Sequence, residues 1–104
     1  MSRIAIIGAG NIGMSIANGL VESGHFAPEA ITLTRRRSEL LEGMSARGFV
    51  VERDNRRAVD GADVIVVAVE PQQIDGVLRE IGPSLVPDRH VLIFIAHQSM
   101  DAGD

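Results

Sequence analysis

The sequence contains no cysteine, lysine, tryptophan or tyrosine, and each absence removes a class of function. Without cysteine there is no disulfide, no thiolate nucleophile and no cysteine-type zinc site. Without lysine there is no Schiff-base chemistry and no Walker-type phosphate loop, which requires a lysine. All ten basic residues are therefore arginine, and with three phenylalanines as the only aromatics the core must be aliphatic.

The charge balance and the short apolar runs exclude further partners. A formal net charge of -4 argues against general nucleic-acid binding. No apolar run approaches the roughly 20 residues of a membrane span, and the N-terminus lacks the layout of a signal peptide. Since 45% of the 104 residues are hydrophobic, we expect one domain with its own core. The missing span and signal peptide lead us to expect that it is soluble and cytoplasmic, with no membrane partner.

Apolar runs alternate with helical periodicity along the chain. Strands are expected at 3–7, 30–34, 49–52, 62–69 and 90–96, the last two buried on both faces. Helices are expected from the glycines to Gly24, from an N-cap at Ser38 to Gly48, and at 55–61 and 74–81. This alternation predicts an α/β fold of Rossmann type, with three layers, a parallel sheet of about five strands and helices on both faces.

Three glycines stand where the first strand turns into the first helix. Gly8, Gly10 and Gly13 form a GxGxxG pattern within IAIIGAGNIG. In a dinucleotide-binding fold the first permits a tight turn, the second lets a pyrophosphate approach the backbone, and the third lets the helix pack on the strand. The helix N-terminus then offers N–H groups to the phosphates. A turn without a ligand is the alternative, but the strand and helix context favours a bound dinucleotide.

Arginines follow the second strand, at the position that selects the nucleotide. An NAD site usually carries an acid there, about 20 residues beyond the glycines. This chain has Thr34, Arg35, Arg36 and Arg37, with no acid before Glu39. A guanidinium favours the 2′-phosphate of NADP through charge-assisted hydrogen bonds. The sequence therefore predicts NADP(H), with NAD(H) as the alternative cofactor, and at least one of the three arginines on the surface.

Five motifs together are more specific than the glycines alone. They are IGAGNIG, TRR, DNRRAV, ADVIVVAVEPQ and DRHVLIFIA, and they extend from Ile4 to about Ala96. In this combination the chain resembles the N-terminal domain of pyrroline-5-carboxylate reductase. The resemblance implies an NADP-dependent oxidoreductase that reduces a cyclic imine, 1-pyrroline-5-carboxylate, to proline in proline biosynthesis. F420-dependent NADP reductases share the first motif and provide the alternative within the same superfamily.

The resemblance also implies a set of cofactor-binding positions. The pyrophosphate would be held at Gly8, Ala9, Gly10, Asn11, Ile12 and Gly13. The 2′-phosphate would lie among Thr34, Arg35 and Arg36, the adenosine ribose near Asn55, and the nicotinamide side against Ala68, Val69 and Pro71. One position departs from the family, which usually has Lys where this chain has Glu70. A carboxylate directed into the site should weaken binding of a polyanionic cofactor.

In the family, a helical second domain forms the dimer and the substrate pocket, and nothing in 1–104 resembles it. We therefore expect 1–104 to be a dinucleotide-binding domain that binds cofactor but does not turn over alone. The imine substrate would need the missing domain, and dimerisation is a property of the full-length family. A stand-alone NADP-binding module without catalysis is the alternative. A domain cut from a larger enzyme should leave part of its last strand and nearby apolar surface uncovered.

No residue of the chain is predicted to be catalytic or to bind a metal. His97, Ser99 and Asp101 follow the fifth strand, and we interpret them as a polar C-terminus because such ends are usually mobile. His25 and His90 are expected in turns, as surface or capping residues without partners. No histidine pair has a third ligand at metal-binding spacing.

Overall fold

A five-stranded parallel sheet forms the centre of the molecule, in a computed structural model that describes residues 2–35 and 41–95. The strands are β1 (Ile4–Ile7), β2 (Ile31–Thr34), β3 (Val50–Glu52), β4 (Val64–Val67) and β5 (Val91–Phe94), in the order β3-β2-β1-β4-β5. The connecting helices are α1 (Asn11–Glu22), α2 (Glu42–Ala46), α3 (Asn55–Asp60) and α4 (Ile74–Ile81). The predicted Rossmann-type α/β fold is confirmed, although each strand is shorter than its apolar run.

The two faces of β1 carry the two halves of the core. Ile4 and Ile6 pack on the side of α1 and α2, whereas Ala5 and Ile7 pack on the side of α3 and α4. All four residues are buried, as the continuous apolar run predicts for a central parallel strand. Fully burying one aliphatic side chain stabilises a fold by about 1.5–3 kcal/mol. The core on both faces is mostly aliphatic, with Phe49 as a buried aromatic exception, and it supports the sheet whose strand ends form the edge described below.

The expectation that β5 is buried on both faces is wrong. Val91, Ile93 and Phe94 are 55%, 41% and 45% exposed. β5 pairs only with β4 among the described residues, so it lies at the sheet edge and its side chains have fewer elements to pack against. An apolar run shows that a strand can be buried, but it does not show whether helices cover that strand.

His90 has two partners, contrary to the expectation of a surface residue without any. The backbone N–H of Val86 donates to Nδ1 at 2.9 Å, and Nε2 lies 3.1 Å from the carbonyl oxygen of Val59. Because Nδ1 accepts, the ring proton belongs on Nε2, which then donates to Val59. The imidazole therefore joins the start of β5 to α3, across 31 positions in the sequence.

Replacing His90 with alanine should lower the free energy of unfolding by about 1–3 kcal/mol, because it leaves the partly buried carbonyl of Val59 and the N–H of Val86 without their partner. Urea denaturation measures the change. His25→Ala is the matched control, since His25 is exposed and only its backbone makes a described hydrogen bond. That variant should stay within about 0.5 kcal/mol of the parent chain. Equal effects of the two substitutions would contradict the bridging role of His90.

Within the two described ranges, no helix has the length and hydropathy needed to cross a lipid bilayer. The predicted N-cap at Ser38 and the predicted polar C-terminus (His97, Ser99 and Asp101) lie outside the described residues. The first helix does end as predicted. Gly24 has a positive φ of 81° just beyond α1, and its N–H donates to the carbonyl oxygen of Val21.

Candidate functional site: a cleft at the carboxyl ends of the strands

An open cleft of about 960 Å³ lies at the carboxyl ends of β1, β2, β3 and β4. Parallel α/β sheets bind their ligands at this edge. Nine of the predicted cofactor-binding residues line the cleft: Gly8, Gly10, Asn11, Ile12, Thr34, Arg35, Asn55, Ala68 and Val69. Three others lie beside it: Ala9, Gly13 and Pro71. Arg36 lies outside the described residues.

The turn after β1 depends on Gly8. Its φ is +79°, a conformation that side chains with a Cβ rarely adopt, and a Cβ at this position would overlap Cγ1 of Val69. The end of β2 anchors the same turn from the other side. The N–H of Gly8 donates to Oγ1 of Thr34 at 3.2 Å, and the N–H of Ala9 donates to the carbonyl oxygen of Thr34 at 2.6 Å. Thr34 thus holds the glycine turn through two hydrogen bonds, and Val69 leaves no room for a side chain at Gly8.

The first turn of α1 presents backbone donors at the cleft. The first backbone hydrogen bond of the helix runs from Met14 to the carbonyl oxygen of Gly10 at 2.9 Å. Among the described residues, the N–H groups of Asn11, Ile12 and Gly13 have no acceptor. No side chain caps the helix, and its first turn contains no acid. These donors and the positive end of the helix dipole form a ready binding site for an anion.

Gly10 and Gly13 differ in what surrounds them. A Cβ built at Gly10 meets nothing within 4 Å, so the space beside this backbone is open. A Cβ at Gly13 would lie 3.1 Å from Cγ2 of Ile6, because α1 packs closely on β1 there. The predicted tight turn at Gly8 and close packing at Gly13 are confirmed. The free volume at Gly10 is the feature that a pyrophosphate would need.

Two arginines line the side of the cleft formed by β2 and β3. Arg35 follows the last residue of β2, as expected, and Arg53 follows the last residue of β3. Arg53 is not among the cofactor-binding residues predicted from the sequence. The signal was present, since a basic residue directly after a strand reaches the same sheet edge. However, using that signal requires the strand order, which places β3 next to β2 and which apolar periodicity does not give.

The opposite side of the cleft is formed by the end of β4. Ala68 and Val69 are buried and line the cleft, whereas Pro71 begins an exposed 3-10 turn (Pro71–Gln73). Glu70 also lines the cleft and caps this turn. Its N–H donates to Oε1 of Gln73 at 3.2 Å, its carbonyl oxygen accepts the N–H of Gln73 at 2.8 Å, and its Oε2 accepts Nε2 of Gln72 at 2.9 Å. The residue that departs from the family therefore has a local structural role, with its charge at the cleft rim.

Asn55 begins α3 and reaches across to α4. Its Nδ2 donates to Oε1 of Glu80 at 2.8 Å, and both residues line the cleft. The amide oxygen of Asn55 remains available as an acceptor. The helix start is well formed because Oδ1 of Asp54 accepts the N–H of Arg56. Within the described ranges, no three His, Asp or Glu side chains are grouped to hold a metal ion.

Sequence comparison relates the chain to pyrroline-5-carboxylate reductases. It is 38% identical over 94 residues to pyrroline-5-carboxylate reductase 2 of Dictyostelium discoideum, covering 89% of this chain and 31% of that protein. It is 32% identical over 93 residues to pyrroline-5-carboxylate reductase 3 of Xenopus laevis, covering 89% of this chain and 34% of that protein. The chain thus spans about a third of the length of these relatives.

Solved structures show the same relationship. A pyrroline-5-carboxylate reductase from Coxiella burnetii superimposes with a TM-score of 0.83 at 33% identity, covering 91% of this chain and 35% of that one. An imine reductase from Myxococcus stipitatus in complex with NADP⁺ superimposes with a TM-score of 0.77 at 26% identity, covering 93% of this chain and 32% of that one.

A family model accounts for nearly all of the chain. Residues 3–97 match the model described as NADP oxidoreductase coenzyme F420-dependent. That description names NADP, the cofactor predicted from the arginines after β2. The relatives confirm the resemblance to the N-terminal domain of pyrroline-5-carboxylate reductases. The chain belongs to the family of coenzyme F420-dependent NADP oxidoreductases.

Proposed function

We propose that this chain is the NADP(H)-binding domain of a pyrroline-5-carboxylate reductase. One observation carries the proposal. The unpaired N–H groups of the first turn of α1, the open space at Gly10 and the guanidinium of Arg35 meet at one cleft. A dinucleotide phosphate needs backbone donors and room beside them, and a 2′-phosphate needs a cation at the end of β2. The proposed reaction is the one named for the relatives, pyrroline-5-carboxylate reduction.

The cleft residues fit the parts of this cofactor in order along the sheet edge. Asn11 and Ile12 would donate backbone N–H groups to the pyrophosphate, with Gly10 leaving room for it. Arg35 would bind the 2′-phosphate on the β2 side, and Val69 would form an apolar wall on the β4 side. Bound NADPH would supply the hydride that reduces the C=N carbon of the imine and yields proline.

We further propose that residues 1–104 act as the cofactor domain and that catalysis requires more polypeptide. The chain spans about a third of its relatives, and Val91, Ile93 and Phe94 of β5 are exposed, as expected where another segment covers an edge strand. Imine reduction depends on holding nicotinamide and substrate together, a contribution that can reach about 7–11 kcal/mol. A cytoplasmic location and the absence of nucleic-acid and membrane partners remain predictions from composition.

A second candidate is a reductase of the same family that acts on coenzyme F420, as the family description favours. The curated relatives favour the imine. NADPH oxidation by the chain can be followed with either 1-pyrroline-5-carboxylate or oxidised coenzyme F420 added. Neither should support turnover by residues 1–104 alone. Oxidation that depends on F420 would favour the second candidate, and imine-dependent oxidation would contradict the need for a second domain.

Calorimetric titration at fixed salt tests the cofactor assignment. NADPH should bind at least about 10-fold more tightly than NADH, since a charged hydrogen bond to phosphate contributes about 1.5–3 kcal/mol. Arg35→Ala should weaken NADPH binding by about 10- to 100-fold and NADH binding by less than about threefold. Arg79→Ala is the control, because Arg79 is exposed on α4 and does not line the cleft.

The outcomes separate the parts of the proposal. Equal binding of the two dinucleotides, or equal losses on Arg35→Ala, would show that Arg35 does not read the 2′-phosphate. Binding of neither dinucleotide would contradict cofactor binding by the isolated chain. Tight, selective binding of NADPH without turnover is the result expected for the cofactor domain.

A further inference from the structure

We propose that Arg53 is a second specificity-determining residue for the ribose 2′-phosphate. It would form, with Arg35, a two-arginine pocket at the carboxyl ends of β2 and β3. This inference rests on the proposed function, because it assumes that the cleft holds NADP(H). It adds a phosphate-binding residue directly after β3. The predicted cofactor-binding residues include none from this strand or the residue that follows it.

Strand register places the two arginines side by side. β2 and β3 are parallel, with Thr32 opposite Val50 and Thr34 opposite Glu52. Arg35 and Arg53 are the next residues in this register, one directly after each strand. Neighbouring strands lie about 4.8 Å apart, so the two side chains leave adjacent points of the same sheet edge. Both residues line the cleft.

Two arginines that leave adjacent strand ends can direct their guanidinium groups to one anion of high charge. Two such like charges repel each other when they converge, and a phosphate monoester carrying about -1.5 to -2 charges at neutral pH relieves that repulsion while accepting hydrogen bonds from both. A ribose hydroxyl carries no charge and cannot do this. The second arginine thus increases the difference in affinity between NADPH and NADH, rather than strengthening both equally.

The charge distribution along the cleft supports the same orientation. The arginines lie beyond the glycine turn on the β2–β3 side. Of the two carboxylates that line the cleft, Glu70 lies on the β4 side, and Glu80 on α4 accepts the side-chain amide of Asn55. A phosphate is therefore attracted toward Arg35 and Arg53 and repelled from Glu70. Arg53 is exposed and has an interaction within the chain, but a guanidinium carries five N–H donors, so others can serve a ligand.

Small adenosine ligands isolate this subsite. We would titrate the chain with adenosine 2′,5′-bisphosphate and, separately, with 5′-AMP, which differ only in the 2′-phosphate. Arg53→Ala should weaken binding of the bisphosphate by about 10-fold and binding of 5′-AMP by less than about twofold. Arg53→Lys should restore part of the loss, because it keeps the charge but not the fork of donors.

Arg57→Ala is the matched control for this experiment. It removes the same charge from an exposed position on α3, outside the cleft, and should leave both affinities within about twofold. Thermal unfolding checks that each variant is folded. If the parent chain prefers the bisphosphate but Arg53→Ala keeps that preference, or if Arg57→Ala has the same effect, the role of Arg53 is overturned. If the parent chain shows no preference, the NADP(H) assignment itself fails.

Discussion

Replacing Gly10 with valine is expected to abolish detectable NADPH binding while leaving the chain folded. The backbone at Gly10 has a negative φ of -80° in the extended region, which residues with side chains readily adopt. A Cβ there meets no atom within 4 Å. The substitution therefore creates no clash in the protein itself. The added branches would instead fill the space in which, under the proposed function, the pyrophosphate approaches the backbone.

The expected size of this effect is a loss of at least about 100-fold in NADPH affinity, equivalent to about 2.7 kcal/mol. Stability should fall by about 1 kcal/mol at most, because valine is a poorer N-cap than glycine. Gly19→Val is the matched control, since Gly19 is exposed on the same helix, away from the cleft, with nothing near its Cβ position. Calorimetry measures affinity and urea denaturation measures stability. NADPH binding by Gly10→Val at parental affinity would contradict a pyrophosphate at this position.

Features that depend on neighbouring positions in the sequence could be predicted well. Strand and helix types follow from apolar periodicity, and the tight turn at Gly8 and the close packing at Gly13 follow from the spacing of the glycines. Each of these features forms within one β-α unit. The resemblance to a known family then added Asn55 and Val69, which line the cleft although they lie far from the glycines in the sequence.

Features that depend on which elements become neighbours do not follow from periodicity. The apolar run of β5 looks like that of β4, and only the expectation that a domain of a larger enzyme leaves part of its last strand uncovered agrees with the 45% exposure of Phe94 at the sheet edge. The partner of His90 on α3 and the alignment of Arg53 with Arg35 likewise depend on packing between distant segments. Sequence periodicity gives the buried face of each element but not the element that covers it.

Replacing Gly8 with alanine is expected to destabilise the fold itself, by about 2–5 kcal/mol. Two separate costs add at this position. The φ of +79° is unfavourable for a residue with a Cβ, which costs about 1–2 kcal/mol. The new Cβ would also overlap Cγ1 of Val69, and overpacking a buried site costs about 1–3 kcal/mol. A small domain is stable by only about 5–15 kcal/mol, so the loss is a large fraction of the total.

Two further variants separate the costs at Gly8. Gly24→Ala has a similar φ of +81° but nothing near its Cβ position, so its destabilisation should measure the backbone cost alone, about 1–2 kcal/mol. Val69→Ala removes the overlapping atom, so adding Gly8→Ala to it should destabilise less than Gly8→Ala does in the parent chain. Urea denaturation of the parent chain, Gly8→Ala, Val69→Ala and the double variant gives the coupling free energy between Gly8 and Val69. If the destabilisations caused by Gly8→Ala and Val69→Ala simply add in the double variant, the turn relaxes away from β4. Only the positive φ at position 8 would then require glycine.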